Sequence, residues 1–161
     1  MNETERTFLQ KCKQDPVFFC EKVLGVRLWS KQKDILLSIR DNSNTIVVSC
    51  NAGGKSFTMA CATLWWLYTH KDSLVLTTAP TWRQVVSVLW AEIGRLYSNA
   101  RIPLGGEMTN GKIQLADKWY ALGLPSSEEV RFQGYHAEDI LIIFDEAAGV
   151  DLPIYTAAAG N

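Results

Sequence analysis

The stretch that most limits what this chain can become is Ser49-Cys50-Asn51-Ala52-Gly53-Gly54-Lys55-Ser56, because of what stands on either side of it. Before it, Thr45-Ile46-Val47-Val48 is a short β-branched run bounded by turn residues, the form expected of a buried parallel strand. After it, residues 55 to 69 carry Phe57, Met59, Leu64, Trp65, Leu67 and Tyr68 around much of a helix, which should therefore lie against a sheet. Strand, glycine turn and helix in that order give a phosphate-loop pattern, GxxxxGK[ST], its physical context. Gly53 and Gly54 would let backbone N–H groups approach a phosphate closely, and the helix would point its positive end at it. Lys55 would add a charge for the β and γ oxygens, and Ser56 a hydroxyl for Mg²⁺. Ser49 stands where the pattern has glycine, so the loop is a variant form. The same letters also describe a glycine turn entering a helix with a surface lysine and an N-terminal serine.

A second element supplies what such a loop needs. Leu141-Ile142-Ile143-Phe144 is an apolar run that reads as a strand, and it delivers Asp145 at its carboxyl end, where open α/β sheets bind ligands. A carboxylate there can hold the hydrated Mg²⁺ that Ser56 also touches. Glu146, one residue further, is placed to polarise water for in-line attack on a γ-phosphate. Taken alone, Asp-Glu after an apolar strand is more often a helix cap or a solvated terminus; the upstream loop reverses that preference.

Between these elements the pattern alternates. Asp15-Pro16 and Gly25 bracket a short helix over 16–24, and Ser30 to Arg40 forms a second, with Ile35, Leu36 and Ile39 on one face. Leu74 to Thr78 is a strand, and Thr81 with Gln84 makes a capping box for a helix striped by Trp82, Val85, Val86, Leu89, Ile93 and Leu96. From 104 to 123 the helical period disappears, and Asn110-Gly111 and Asp117-Lys118 mark turns of a β-meander. The alternation predicts a parallel sheet covered by helices.

Composition narrows the class. At 161 residues, 47% hydrophobic and 20% charged, the chain suits one packed domain. A net charge of -1 leaves no concentrated basic face for bulk phosphate binding, so contact with DNA must be local or carried elsewhere. Cys12, Cys20, Cys50 and Cys61 form no CxxC pair, which argues for reduced thiols and against a metal site. Glu3, Glu5, Arg6 and Lys11 occupy the stretch where a signal peptide would be apolar, and no run reaches membrane-spanning length, so a cytoplasmic protein with no membrane partner is expected. His136 reads as a loop residue, and the tryptophans, Trp82 excepted, as core.

A third element lies upstream. In Leu28-Trp29-Ser30-Lys31-Gln32, Gln32 offers a donor and an acceptor for the N6 and N7 edge of adenine, and Trp29 could stack on a base; core packing for Trp29 and a solvated helix position for Gln32 serve as well. Trp29-x-x-Gln32, the variant loop Ser49 to Ser56, Thr78-Ala79-Pro80-Thr81, and Phe132-Gln133-Gly134-Tyr135-His136-Ala137 leading into Ile-Phe-Asp-Glu-Ala, taken in order, resemble a phage terminase large subunit over about residues 16 to 149.

That resemblance implies an α/β fold with the parallel-sheet P-loop NTPase core of the additional-strand (RecA- and terminase-like) type. Residues 1–44 would be an N-terminal helical segment with a Q-type motif, and 45–161 a partial ATPase core, truncated after the Walker B strand and without the family's nuclease domain. It assigns Gln32 to adenine recognition, Ser49, Cys50, Asn51, Ala52, Gly53, Gly54, Lys55 and Ser56 to nucleotide binding, Ser56 and Asp145 to Mg²⁺, and Lys55 and Glu146 to catalysis. The implied activity is ATP hydrolysis coupled to translocation of double-stranded DNA in a bacterial host cell. The implied partners are a terminase small subunit, a capsid portal and further copies of the chain in a ring. The family's arginine near the start of the Walker A loop has no counterpart here, which leaves Arg83, Arg131 or a neighbouring subunit to supply that charge. A helicase-like or recombination ATPase shares the loop, the Ala79-Pro80-Thr81 element and Asp145-Glu146, and a nucleotide-binding fragment without turnover is a third possibility.

Overall fold

The computed structural model describes residues 2–48, 53–125 and 134–149. Its opening helix α1 (Glu3–Gln14) is capped by Asn2, whose Oδ1 accepts from the Glu5 N–H at 2.8 Å. The next helix starts where the sequence places it. Asp15 Oδ1 accepts from the N–H groups of Val17 (2.9 Å) and Phe18 (3.0 Å), and Pro16 occupies the first helical position. This α2 (Pro16–Phe19) then widens into a π-helical turn over Cys20–Leu24 and stops at Gly25, which adopts φ 74°. Left-handed backbone at a helix end favours glycine because a Cβ would clash there. Helix α3 spans Ser30–Asp41 and α4 spans Lys55–Thr69.

The sheet follows. β1 (Leu74–Ala79) leads into α5 (Trp82–Gln84), a π-helical segment (Val85–Trp90) and α6 (Ala91–Ser98); then come β2 (Glu107–Thr109), β3 (Lys112–Ala116), β4 (Trp119–Pro125) and β5 (Ile140–Phe144). Strand order is β2-β3-β4-β1-β5. β1 lies between β4 and β5 and is parallel to both, with Leu76 opposite Leu122 on one side and Ile142 on the other. β2 pairs with β3, and β3 with β4, in antiparallel fashion. The chain is an α/β protein with a mixed sheet, a layout compatible with a Rossmann-like core, and the expectation of a parallel sheet holds for β4, β1 and β5 only. The physical reason is local: Asn110-Gly111, with Gly111 at φ 88°, returns the chain in a tight turn, and a tight turn can only join antiparallel strands.

A second expectation is overturned. Thr45-Ile46-Val47-Val48 joins no strand ladder, and Ile46 and Val48 are 90% and 93% exposed. Among the described residues no strand lies beside this run, since the sheet ends at β5. A β-branched run has no backbone partner of its own, so without a neighbouring strand its backbone enters no ladder and Ile46 and Val48 stay uncovered, although Thr45 Oγ1 shares a hydrogen bond with Ser38 Oγ at 2.9 Å.

One core unites the N-terminal helices with one face of the sheet, from Cys12 and Phe19 through Leu64 and Trp65 to Val75, Leu89, Ala121 and Ile143. Tryptophans fasten it. Trp65 Nε1 donates to the Cys12 carbonyl (2.9 Å), Trp119 Nε1 to the Leu67 carbonyl (2.7 Å) and Trp90 Nε1 to Thr77 Oγ1 (2.8 Å). Each bond satisfies an indole N–H that would otherwise be costly to bury. The π winding of Val85–Trp90 turns Val85, Leu89 and Trp90 together onto the sheet, all nearly fully buried. Beneath them runs Gly123 of β4, where a Cβ would come within 2.6 Å of Trp90 Nε1 and 2.7 Å of Val85 Cγ1. Trp82, by contrast, is 45% exposed. Cys12, Cys20 and Cys61 are buried free thiols, with the Cys12 thiol pushed up to about 11 by burial. No helix among the described residues is long and apolar enough to cross a membrane.

Candidate functional site

The candidate site lies where the start of α4 meets the carboxyl ends of β1 and β5. Gly54 is the N-cap of α4 and takes φ 77°, and no described side chain caps that end of the helix. The N–H groups of a first turn lack intrahelical acceptors, so an end without a side-chain cap presents them to whatever lies in front. Only glycine suits this position on two counts: its left-handed backbone, and a Cβ that would fall 2.9 Å from Gln32 Nε2. Lys55 and Ser56 follow as the first helical residues, both half-buried. Gly53 precedes them; Ser49, Cys50, Asn51 and Ala52 lie outside the described residues, as does Arg131.

Gln32 is 7% exposed, and its Oε1 accepts from the Trp29 N–H at 3.2 Å. Its amide nitrogen lies against Gly54, so Gln32 touches the glycine turn. Trp29 is 55% exposed and open to stacking.

β5 brings the acidic pair to the same end of the sheet. The Asp145 N–H donates to the Thr78 carbonyl at 2.8 Å, extending the β1–β5 pairing by one residue and fixing the carboxylate at the strand terminus. Asp145 is 6% exposed. Burial raises its carboxyl above the usual carboxylate range; the Glu146 N–H, donating to Asp145 Oδ1 at 3.0 Å, pulls it down, the Glu146 charge pushes it up, and the Lys55 ammonium draws it down again. Burial disfavours the charged form of this carboxylate, and either a proton or a nearby cation would relieve that cost. Mg²⁺ keeps several waters and needs only one or two protein ligands with substrate phosphates, and Asp145 and the Ser56 hydroxyl are the side chains of the right chemistry at this end of the sheet. Among the described residues no group of three or more His, Cys, Asp or Glu side chains could form an all-protein metal cage.

Glu146 is exposed and holds φ 52°, a left-handed backbone that a residue with a Cβ rarely adopts. Such strain persists only where the surroundings over-determine it. Here the 3₁₀ turn Ala147–Gly149 closes behind it, with the Gly149 N–H donating to the Glu146 carbonyl at 2.9 Å, and Gly149 packs on Pro80. Glu146 Oε2 accepts from Gln84 Nε2 at 2.7 Å.

Lys55 and Asp145, about ninety residues apart in sequence, thus lie within electrostatic reach, the pairing expected of a loop and an acidic strand end. No family model matches the chain, and no curated protein matches it.

The sequence missed Gln84. Its capping role was legible in Thr81-x-x-Gln84, but the second end of its amide finds its partner only in three dimensions. Arg83, one residue before, is exposed on the same short helix. His136 is exposed in the segment leading into β5.

Proposed function

We propose that this chain binds ATP with Mg²⁺ at the start of α4 and hydrolyses it, as the P-loop ATPase core of a DNA-packaging motor of the terminase large-subunit kind. The observation that carries the reading is the juxtaposition of Lys55, behind the left-handed Gly54, with the buried Asp145 at the end of β5. In this scheme the first-turn N–H groups and Lys55 hold the phosphates, and Ser56 and Asp145 hold the cation. Held by these two residues, the cation would supply positive charge to neutralise the phosphate oxygens. Glu146 takes the proton from a water aimed at the γ-phosphate, and Gln32 sets the glycine turn from behind while its helix carries Trp29 to the base. Residues 1–44 serve as the adenine-side segment and 45–161 as the phosphate side.

The motor assignment rests on the ordered motifs, and with it come double-stranded DNA as the moved polymer, a small subunit and portal as partners, and a ring of copies in the cytoplasm of a bacterial host. In a ring, one copy's arginine completes its neighbour's site, a contribution worth about a thousandfold or more in turnover. Arg83, exposed beside Gln84, is the alternative source within the same chain.

A second reading, nucleotide binding without turnover, is favoured by the exposed Ile46 and Val48, because the run that enters the loop is not braced by the sheet. One experiment decides between them. A fluorescent ATP analogue titrated with Mg²⁺ should bind the parent and Glu146→Gln alike and fail to bind Lys55→Ala, and the parent, concentrated enough for copies to associate, should release phosphate over many turnovers. Binding without release selects the second reading; binding that survives Lys55→Ala removes both.

A further inference from the structure

Gln84 is hydrogen-bonded at both ends of its side chain. Its Oε1 accepts from the Thr81 N–H at 3.1 Å and from Thr81 Oγ1 at 2.8 Å, while its Nε2 donates to Glu146 Oε2 at 2.7 Å. A backbone N–H can only donate, so the amide has one possible orientation: oxygen towards Thr81, NH₂ towards Glu146. Thr81 is itself fixed as the N-cap of α5, with its Oγ1 accepting from the Gln84 N–H at 3.3 Å. The helix it starts is anchored on β1 about two turns later through Trp90 and Thr77. A rigid chain of bonds therefore runs from the sheet to one oxygen of Glu146.

We propose that Gln84 is a positioning residue for Glu146, setting where the carboxylate points when it accepts a proton from the attacking water. This rests on Glu146 as the water-activating base and specifies what aims it. An exposed glutamate on a turn samples several rotamers. A charge-assisted bond from a fixed donor narrows them and occupies Oε2, leaving Oε1 for the water. Misplacement of a reacting group by about 1 Å can cost about a hundredfold in rate, so aim matters more here than affinity.

The test uses Gln84→Glu, which keeps the oxygen that accepts from Thr81 and so retains the helix cap, but replaces the donor with a second carboxylate facing Glu146. Its thermal unfolding checks that the fold is intact. In ¹⁵N–¹H spectra of the parent, the Gln84 side-chain NH₂ pair, identified by its loss in Gln84→Glu, should move on Glu146→Ala; a pair that stays in place means the bond is not formed in solution and overturns the proposal. In steady-state hydrolysis, Gln84→Glu should lower kcat about tenfold or more while KM for MgATP changes less than about twofold. An unchanged kcat, or a raised KM at unchanged kcat, also overturns it. If the parent hydrolyses no ATP while the NH₂ pair still responds, the ATPase reading fails and the positioning role goes with it, but the contact stands. The two failures are thereby kept apart.

Discussion

Two stretches of this chain have the same plan, an apolar run, a turn and a helix, and they turn out differently. In the first, residues 46–48 are exposed and join no described strand, Gly54 opens the helix in a left-handed conformation, and α4 runs fifteen regular residues with no described side chain capping its start. In the second, every residue of β1 is buried between two parallel neighbours, Thr81 and Gln84 close the start of α5, and the helix passes through a π segment before α6. Propensity does not separate them, since Ile46-Val47-Val48 is at least as β-prone as Leu74-Val75-Leu76. Neighbours separate them. The helix ends differ in what they leave available: the Thr81 cap satisfies first-turn N–H groups and removes them from use by an anion, whereas no described side chain caps the start of α4.

The largest effect that would test this contrast comes from the buried strand. Leu76→Ala, at a fully buried position, should cost about 2–5 kcal/mol in denaturant unfolding. A loss near zero would mean β1 is not central in solution. Gly54→Ala comes next. Left-handed backbone and the 2.9 Å approach to Gln32 Nε2 together predict a cost of about 1–3 kcal/mol, with weakened nucleotide binding. If Gly54→Ala bound nucleotide as the parent does, the open helix end would not be the phosphate site.

Asp145 joins the two units, bonded to β1 and within reach of Lys55. Its carboxyl is raised chiefly by burial, so the folded chain binds that proton more tightly than the unfolded chain does. Stability from this group is therefore greatest below the ordinary carboxylate range and is lost as pH rises through the folded value. Asp145→Asn should flatten that dependence and slightly raise Tm at neutral pH without Mg²⁺, while abolishing the Mg²⁺-dependent part of nucleotide binding. A variant less stable than the parent at neutral pH would mean the carboxylate is already compensated. The smallest effect belongs to the exposed run: Val48→Ser should shift stability by less than about 0.5 kcal/mol, and a larger loss would place Val48 under cover in solution.

Much of this was legible in the residues because the signals were local. Asp15-Pro16 and Gly25 marked the ends of a helix, Asn110-Gly111 a hairpin, and residues 55–69 a helix that is observed as Lys55–Thr69. What was not legible depended on partners distant in sequence. Nothing within 45–48 says whether a strand will lie beside it, and nothing in Cys20–Leu24 or Val85–Trp90 announces a π turn, which packing against neighbours selects. The site divides the same way. Lys55, Ser56, Asp145 and Glu146 could be named from strand ends and helix starts, whereas the seat of Gln32 against Gly54 and the bond from Gln84 to Glu146 require two separate segments to meet.

Gly123 has a wider effect than its size suggests. Sheet hydrogen bonds alone do not distinguish one alignment of β4 on β1 from an alignment two residues away, because side chains return to the same face at each step of two. The indole of Trp90 and the methyl of Val85 do distinguish them, since both press where a side chain cannot stand. Sliding β4 by two residues would carry Ala121 or Pro125 under the indole. The strand is thus indexed by a missing side chain, and Leu122 and Leu124, which flank the glycine, meet Leu76 and Thr78 because the helix above admits only that setting.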